Sequence, residues 1–222
     1  MNSSAVEIKQ ARFNMIEQQI RTWEVLDERV LSLLNQVHRE DFVPESEREL
    51  AFADAFIPLA HGQQMMQPKI EARLVQTLNI EPADSVLEIG TGSGYLTALL
   101  AKSAKHVYSV DIFDDFVDSA RSKLAAHDIR NVTLETGDAS KGWDKHGPYD
   151  VIAVTGSLPI LTDTFQKMLK IGGRLFVVVG ELPIQEALLI RRAGEHEWHT
   201  ESLFETYLPA LINAPQPQRF VF

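Results

Sequence analysis

The stretch that decides the fold is Val86-Leu87-Glu88-Ile89-Gly90-Thr91-Gly92-Ser93-Gly94-Tyr95. A short apolar run leads into three closely spaced glycines, and a helix is predicted to follow through Lys102. Glycines at such a point let the backbone turn sharply and let a ligand approach the main chain closely. In an open parallel sheet, this turn lies at the carboxyl end of a strand, where ligands bind. The sequence therefore predicts a ligand-binding turn between a strand and a helix.

Outward from this turn, short apolar runs alternate with helical patterns. Strands are predicted at residues 85–89, 106–111, 132–135, 151–155 and 174–179. Further helices are predicted around Phe116 to Leu124 and over residues 161–169. This alternation predicts right-handed crossovers and an α/β fold, a Rossmann-like, doubly wound and mostly parallel sheet. Two later runs, residues 186–192 and 199–207, predict an antiparallel C-terminal hairpin at the sheet edge.

The regions on either side of this core have their own patterns. Residues 6–43 read as helical, with Asp27 as an N-cap, and Pro68 suits the first turn of another helix. The segment between them, residues 51–67, is predicted to be irregular, and the tail, residues 209–222, to be extended. We expect one domain over residues 1–222. Its parts are an N-terminal helical region with a loop (1–80), a ligand-binding core (81–180), and C-terminal strands and tail (181–222).

Composition excludes several classes of function. The 222 residues carry 21 Lys and Arg against 31 Asp and Glu, a net charge of −10, so the chain lacks the footprint of a nucleic-acid binder. There is no cysteine, and the seven histidines show no ligand spacing, so no metal site is expected. No apolar run approaches the roughly 18 residues of a membrane span, and no signal peptide is recognised. We expect a cytoplasmic protein, and no oligomeric state is favoured.

The residues around the glycines favour one cofactor over another. A dinucleotide fingerprint needs a third glycine where this chain has Tyr95. The carboxylate of Glu88, just before the turn, would repel a pyrophosphate and favour a positively charged ligand. S-adenosyl-L-methionine carries a sulfonium and an amino group and no phosphate, so the sequence favours it.

Acidic residues after the next two strands support this cofactor. Asp111 lies where a carboxylate can accept both ribose hydroxyls, and Asp138 could accept a hydrogen bond from an adenine amino group. Thr155 follows the fourth strand at the same sheet edge. The candidate cofactor-binding residues are Glu88, Gly90, Thr91, Gly92, Ser93, Gly94, Asp111, Ile112, Asp138, Ala139 and Thr155.

Nearly the whole chain resembles the protein-L-isoaspartate O-methyltransferase family. The more specific motifs are Phe42-Val43-Pro44, Gly62-Gln63 with Gln67-Pro68, and Gly142-Trp143. The resemblance implies a methyltransferase that binds S-adenosyl-L-methionine. It also implies repair of damaged proteins, by methylation of the free carboxylate of L-isoaspartyl residues.

One loop departs from the family pattern. The family usually has Gly-Gln-Thr-Ile-Ser-Gln-Pro over the active site, with the Ser hydroxyl close to the reacting carboxylate, whereas Gln64 and Met66 stand at the Thr and Ser positions here. A thioether is a poor substitute for a hydroxyl. We therefore expect Gln63 or Gln64 to orient the acceptor. Asp54 matches an acidic position of the family near this loop, and the candidate catalytic residues are Asp54, Gln63, Gln64 and Met66.

Three other functions remain open at this stage. The same cofactor could serve a different protein or small-molecule acceptor, because Met66 replaces the family serine. The chain could also be a non-catalytic protein that binds the cofactor or damaged chains. A nucleotide-dependent oxidoreductase is the fourth candidate, and Glu88 and Tyr95 argue against it.

Overall fold

A computed structural model describes residues 3–218 of the chain. The helices are α1 (Ser3–Met15), α2 (Glu28–Gln36), α3 (Pro68–Leu78), α4 (Tyr95–Ser103), α5 (Asp114–Ala126) and α6 (Thr164–Lys167). The strands are β1 (Ile57–Pro58), β2 (Gln64–Met65), β3 (Ser85–Ile89), β4 (His106–Asp111), β5 (Val132–Thr136), β6 (Tyr149–Leu158), β7 (Leu169–Glu181), β8 (Ile184–Arg192) and β9 (Trp198–Glu205).

Within residues 3–218, seven of these strands form one sheet in the order β5-β4-β3-β6-β7-β8-β9. The first five in this order are parallel, and β8 and β9 add two antiparallel pairings at the edge. The predicted α/β fold with an antiparallel C-terminal hairpin is confirmed. From β3 the chain continues to β4 and β5 on one side of the sheet and then crosses to β6 on the other side, so the strand order reverses between β3 and β6. The crevice at the carboxyl ends of β3 and β6 is therefore the expected ligand site.

Both faces of the parallel strands are covered. Val86 and Val107 pack on one side, in a core shared with Leu74 of α3 and Leu99 of α4. Their neighbours in the strands point to the other side, where Leu87 belongs to a second core. Burial on both faces explains why these strands are apolar at consecutive positions.

The N-terminal region is helical, as predicted, but in several short pieces. Between α1 and α2 lie a π-helical turn at Ile16–Ile20 and a 3₁₀ turn at Arg21–Trp23, and another 3₁₀ turn follows at Arg39–Asp41. Asp27 caps α2 as predicted, because its carboxylate accepts a hydrogen bond of 2.8 Å from the backbone N–H of Arg29. Pro68 opens α3, also as predicted.

The helix predicted over residues 161–169 is wrong in extent. Only four residues, Thr164–Lys167, are α-helical, and Leu169 already begins β7. Leu169 pairs with Tyr149 in the sheet, and the N–H of Tyr149 donates to the Met168 carbonyl over 2.9 Å. These strand hydrogen bonds to a distant segment overrule the local helical spacing.

The predicted extended tail instead folds back onto the sheet. The N–H of Ser157 donates to the Pro209 carbonyl over 2.8 Å, and the N–H of Leu211 donates to the Ser157 carbonyl over 3.0 Å. A turn follows at residues 212–213, and residues 219–222 of the predicted tail lie outside the described residues. These two bonds place residues 209–212 at the carboxyl end of β6. In the part of the chain that the structure describes, the helices lack the length and apolar character needed to cross a membrane.

Candidate active site

The glycine turn joins the carboxyl ends of three strands. Gly90 has a φ of +97°, and its N–H donates to the Val110 carbonyl of β4 over 2.8 Å. On the other side, the Thr155 hydroxyl of β6 lies 2.8 Å from the Ile89 carbonyl and 2.9 Å from that of Gly90, and donates to this pair. A Cβ on residue 90 would overlap the Thr155 hydroxyl. Glycine is therefore required here by both the backbone angle and the lack of space.

A cavity of about 700 Å³, including the solvent space at its mouth, opens at this turn. Its position at the carboxyl ends of parallel strands is where open α/β sheets bind ligands. The structure brings nine of the predicted site residues together in its lining: Gln63, Gln64, Gly90, Gly92, Asp111, Ile112, Asp138, Ala139 and Thr155.

Asp111 ends β4 and is fixed by the main chain of two neighbouring segments. Its Oδ2 accepts a hydrogen bond of 2.8 Å from the N–H of Gly92, and its Oδ1 accepts one of 3.0 Å from the N–H of Phe113. Burial raises the pKa of Asp111, and these backbone donors oppose the shift. The carboxylate is thus held rigidly in the cavity wall, as required of a group that recognises a ligand.

Asp138 follows β5 and faces the same cavity. Its Oδ1 accepts a hydrogen bond of 2.9 Å from the N–H of Ser140, and its Oδ2 accepts one of 2.9 Å from the side-chain amide of Asn213. The backbone hydrogen bond from Ser140 lowers the pKa of Asp138. The tail therefore helps to orient this carboxylate.

The charges of the lining are of one sign. Among the described residues that line the cavity, Asp111 and Asp138 are the charged ones, and Lys and Arg are absent. A pyrophosphate would meet two carboxylates and no compensating cation. This arrangement favours a ligand that carries positive charge and hydroxyl or amino donors.

Glu88 does not lie where the sequence predicted. Its side chain is 0% exposed and is absent from the cavity lining. Its Oε2 accepts hydrogen bonds from the hydroxyls of Ser109 (2.6 Å) and Thr97 (2.5 Å), and Ser109 is bonded in turn to Thr91. Burial raises the pKa of Glu88 to about 8. Glu88 thus lies beneath the glycine turn, bonded to it through Ser109 and Thr91, and is a neutral acid at pH 7. The negative charges next to a bound ligand are those of Asp111 and Asp138.

Five other predicted site residues also lie outside the lining. Thr91, Ser93 and Gly94 belong to the turn but face the protein interior, where the Ser93 hydroxyl accepts from the N–H of Tyr95. Met66 is buried in the core below the loop, so its side chain fills space there. Asp54 forms an ion pair with Lys69, with 2.7 Å between Oδ2 and Nζ.

The loop over the cavity, residues 61–67 before α3, carries one unpaired side-chain donor. Gln64 lines the cavity, and its Nε2 is buried without a hydrogen-bond partner among the described residues. The amide of the neighbouring Gln63 is used, because its Nε2 donates to the His61 carbonyl over 3.2 Å. A buried donor without a partner is costly, which singles out Gln64 among the residues of this loop.

The tip of this loop is held to the start of α5. The ring of His61 stacks on Phe113 with 4.0 Å between ring centroids, and its Nε2 lies 2.9 Å from the Asp115 carboxylate. Phe113 and Phe116 also line the cavity. These contacts place the loop across the cavity mouth.

Twelve residues of the lining were not among the predicted site residues: Leu59, Ile89, Val110, Phe113, Phe116, Gly137, Ser140, Gly156, Pro209, Ala210, Leu211 and Ile212. Phe113 could have been found, because it comes directly after the strand that ends at Asp111. Residues 209–212 carry no such signal, since their position depends on bonds to Ser157. No group of three or more potential metal ligands occurs among residues 3–218.

Comparison with known proteins identifies the family of the chain. A profile of the protein-L-isoaspartate(D-aspartate) O-methyltransferase family matches residues 10–213. The chain belongs to this family. A protein-L-isoaspartate O-methyltransferase of Rhodopseudomonas palustris is 39% identical over 201 residues, which cover 90% of this chain and 92% of the relative. Another, from Myxococcus xanthus, is 41% identical over 170 residues, 76% of this chain and 80% of the relative. The family resemblance expected from the sequence is confirmed.

Solved structures agree with the fold. A candidate protein-L-isoaspartate O-methyltransferase of Plasmodium falciparum superposes with a TM-score of 0.75, at 21% identity, over 91% of this chain and 97% of that one. That protein was solved in complex with S-adenosyl-L-homocysteine.

The buried carboxyl of Glu88 predicts how stability depends on pH. The folded protein keeps this proton up to about pH 8, whereas an unfolded chain releases it near the ordinary value of about 4.3. Between these values the folded state binds more protons, so the free energy of unfolding falls as pH rises, by up to about 1.4 kcal/mol per unit from this group. We expect Glu88→Gln to flatten that dependence in urea unfolding at pH 5, 6.5 and 8. Parallel curves for the two proteins would contradict a raised pKa.

Proposed function

We propose that this chain is an S-adenosyl-L-methionine-dependent carboxyl methyltransferase that acts on L-isoaspartyl residues of damaged proteins. The observation that carries the proposal is the match to the family over residues 10–213. The cavity supports it, because its wall presents two carboxylates and no cation to a ligand.

The residues of the cavity fit the proposed cofactor. Asp111 would accept the ribose hydroxyls and Asp138 the adenine amino group, and Gly90 and Gly92 bring main chain into the lining of the same cavity. Phe113 and Phe116 provide apolar surface next to Asp111. When bound, the cofactor supplies a methyl group on a positively charged sulfur.

The acceptor needs orientation rather than activation. A carboxylate acceptor with a pKa of about 4 is ionised at pH 7, so no general base has to remove a proton from it. The chain's contribution is to hold the carboxylate in place and to exclude water. Gln64 has the free donor for this task, and the stacked His61 helps to close the cavity over it.

Labelled methyl transfer to a matched pair of peptides tests the proposal. The peptides share one sequence and contain either isoaspartate or aspartate at one position. We expect a base-labile methyl ester on the isoaspartyl peptide alone. If S-adenosyl-L-homocysteine binds but neither peptide is methylated, the chain uses another acceptor or only binds the cofactor, and the proposal fails.

Replacing Asp111 tests the cofactor site. Asp111→Ala leaves the ribose hydroxyls without their acceptor, so binding of S-adenosyl-L-homocysteine should weaken by about 1–3 kcal/mol, which is roughly fivefold to 150-fold. Isothermal titration calorimetry measures this directly. Asp118→Ala is the control, since Asp118 is exposed on α5 and pairs with Arg121. Equal affinities of Asp111→Ala and the control would place the ribose elsewhere.

Replacing the two glutamines tests the acceptor side. Gln64→Ala removes a donor without a partner, whereas Gln63→Ala removes one that is already bonded within the loop. We expect Gln64→Ala to lower kcat/KM for the isoaspartyl peptide by about tenfold, and Gln63→Ala to lower it less. A larger loss of kcat/KM in Gln63→Ala than in Gln64→Ala would contradict the assignment and give the orienting role to Gln63.

A further inference from the structure

Behind the loop, one buried arginine binds three separate segments of the chain. Arg39 is 1% exposed. Its Nε donates to the Ala51 carbonyl over 3.0 Å, its Nη2 donates to the Met66 carbonyl over 2.7 Å, and its Nη1 pairs with the carboxylate of Glu71. The guanidinium also lies 5.1 Å from the ring centroid of Tyr95.

These partners lie before, within and after the loop that carries Gln64. Met66 comes two residues after Gln64, which lines the cavity and whose Nε2 is buried without a partner among the described residues. Glu71 lies in the first turn of α3, which begins directly after the loop. Ala51 precedes the segment that leads into β1. The planar guanidinium therefore binds the main chain at Ala51 and, at the end of the loop, at Met66 with one rigid group.

The arrangement requires arginine in particular. Three acceptors in different directions need the fixed fork of a guanidinium, which the single ammonium of lysine does not reproduce. The Met66 and Ala51 carbonyls would each lose a donor in a buried region, which is costly. Arg39 itself is absent from the cavity lining, so it acts through the loop and not by contact with a ligand.

Arg39 approaches the cofactor side of the cavity through its contact with the ring of Tyr95, the residue after the glycine turn. Gly90, Asp111 and Thr155 are held by hydrogen bonds among β3, β4 and β6, and Arg39 takes part in none of them. A change at Arg39 should therefore affect the acceptor and the cofactor differently.

We propose that Arg39 is a positioning residue for the methyl acceptor, which acts by fixing the Met66 carbonyl and with it the loop that presents Gln64. This inference rests on the proposed function, because it assigns the loop to the isoaspartyl carboxylate. The expected signature is a loss of turnover on the peptide without a loss of cofactor affinity.

Arg39→Lys tests the proposal, with Arg174→Lys as the matched control. Arg174 also pairs with a carboxylate, Asp84, and donates to two main-chain carbonyls, those of Leu78 and Asn79, but at the far end of α3. We expect Arg39→Lys to lower kcat/KM for the isoaspartyl peptide by about tenfold to a hundredfold, since a small displacement of a positioning group costs this much. Affinity for S-adenosyl-L-homocysteine, measured by calorimetry, should match wild type. Arg174→Lys should lower the melting temperature and leave kcat/KM unchanged.

A second readout does not depend on activity. Amide hydrogen exchange of residues 63–67 should be faster in Arg39→Lys than in wild type and unchanged in Arg174→Lys. Unchanged exchange in Arg39→Lys, or equal losses of kcat/KM in the two variants, would overturn the proposal. If wild-type protein binds S-adenosyl-L-homocysteine but does not methylate the isoaspartyl peptide, the proposed function fails, and the exchange result still decides whether Arg39 orders the loop.

A double variant covers the case in which Arg39→Lys does not fold. Arg39→Met with Glu71→Leu removes both buried charges together, a change that is often tolerated. The Met66 carbonyl still loses its donor, so the same faster exchange at residues 63–67 and the same loss of kcat/KM are expected. Wild-type values of both in this folded variant would also overturn the proposal.

Discussion

The contact between the Gly90 main chain and the Thr155 hydroxyl is the constraint on which the site depends. It joins β3 to β6 at the point where the strand order reverses, and it leaves no room for a side chain at residue 90. The N–H of Gly90 completes the junction by binding β4 through Val110. Asp111 then follows β4 within reach of the Gly92 N–H. A ligand cavity with a rigid acidic wall is the direct consequence.

The two sides of the cavity are held by different physical means. The cofactor side is held by hydrogen bonds between the main chain of the glycine turn and the ends of β4 and β6, with the side chains of Asp111 and Thr155 taking part. The acceptor side is a loop whose main chain is fixed by one buried guanidinium, Arg39, and by the stacking of His61 on Phe113. Arg39 binds the main-chain carbonyl of residue 66, so this hydrogen bond does not depend on which side chain stands there. The loop can thus keep its course with methionine at the position where the family usually has serine.

Much of this could be predicted from the sequence, because the signals were local. The apolar run before Gly90 and the acid after the next strand predict two parts of one site, and both Gly90 and Asp111 line the cavity. Glu88 was assigned to the cavity wrongly, since sequence spacing does not tell which face of β3 a polar side chain occupies. The helix at residues 161–169 was overestimated because pairing of Leu169 with Tyr149 is a distant contact. Residues 209–212 were missed for the same reason.

The most direct test is a crystal structure of the wild-type protein with S-adenosyl-L-homocysteine and an isoaspartyl peptide. The account predicts the ribose hydroxyls on the Asp111 carboxylate and the isoaspartyl carboxylate within hydrogen-bond distance of Gln64 Nε2. It also predicts that Arg39 still binds the Met66 carbonyl in that complex. A ligand bound away from Asp111, or a peptide carboxylate that Gln64 does not contact, would contradict it.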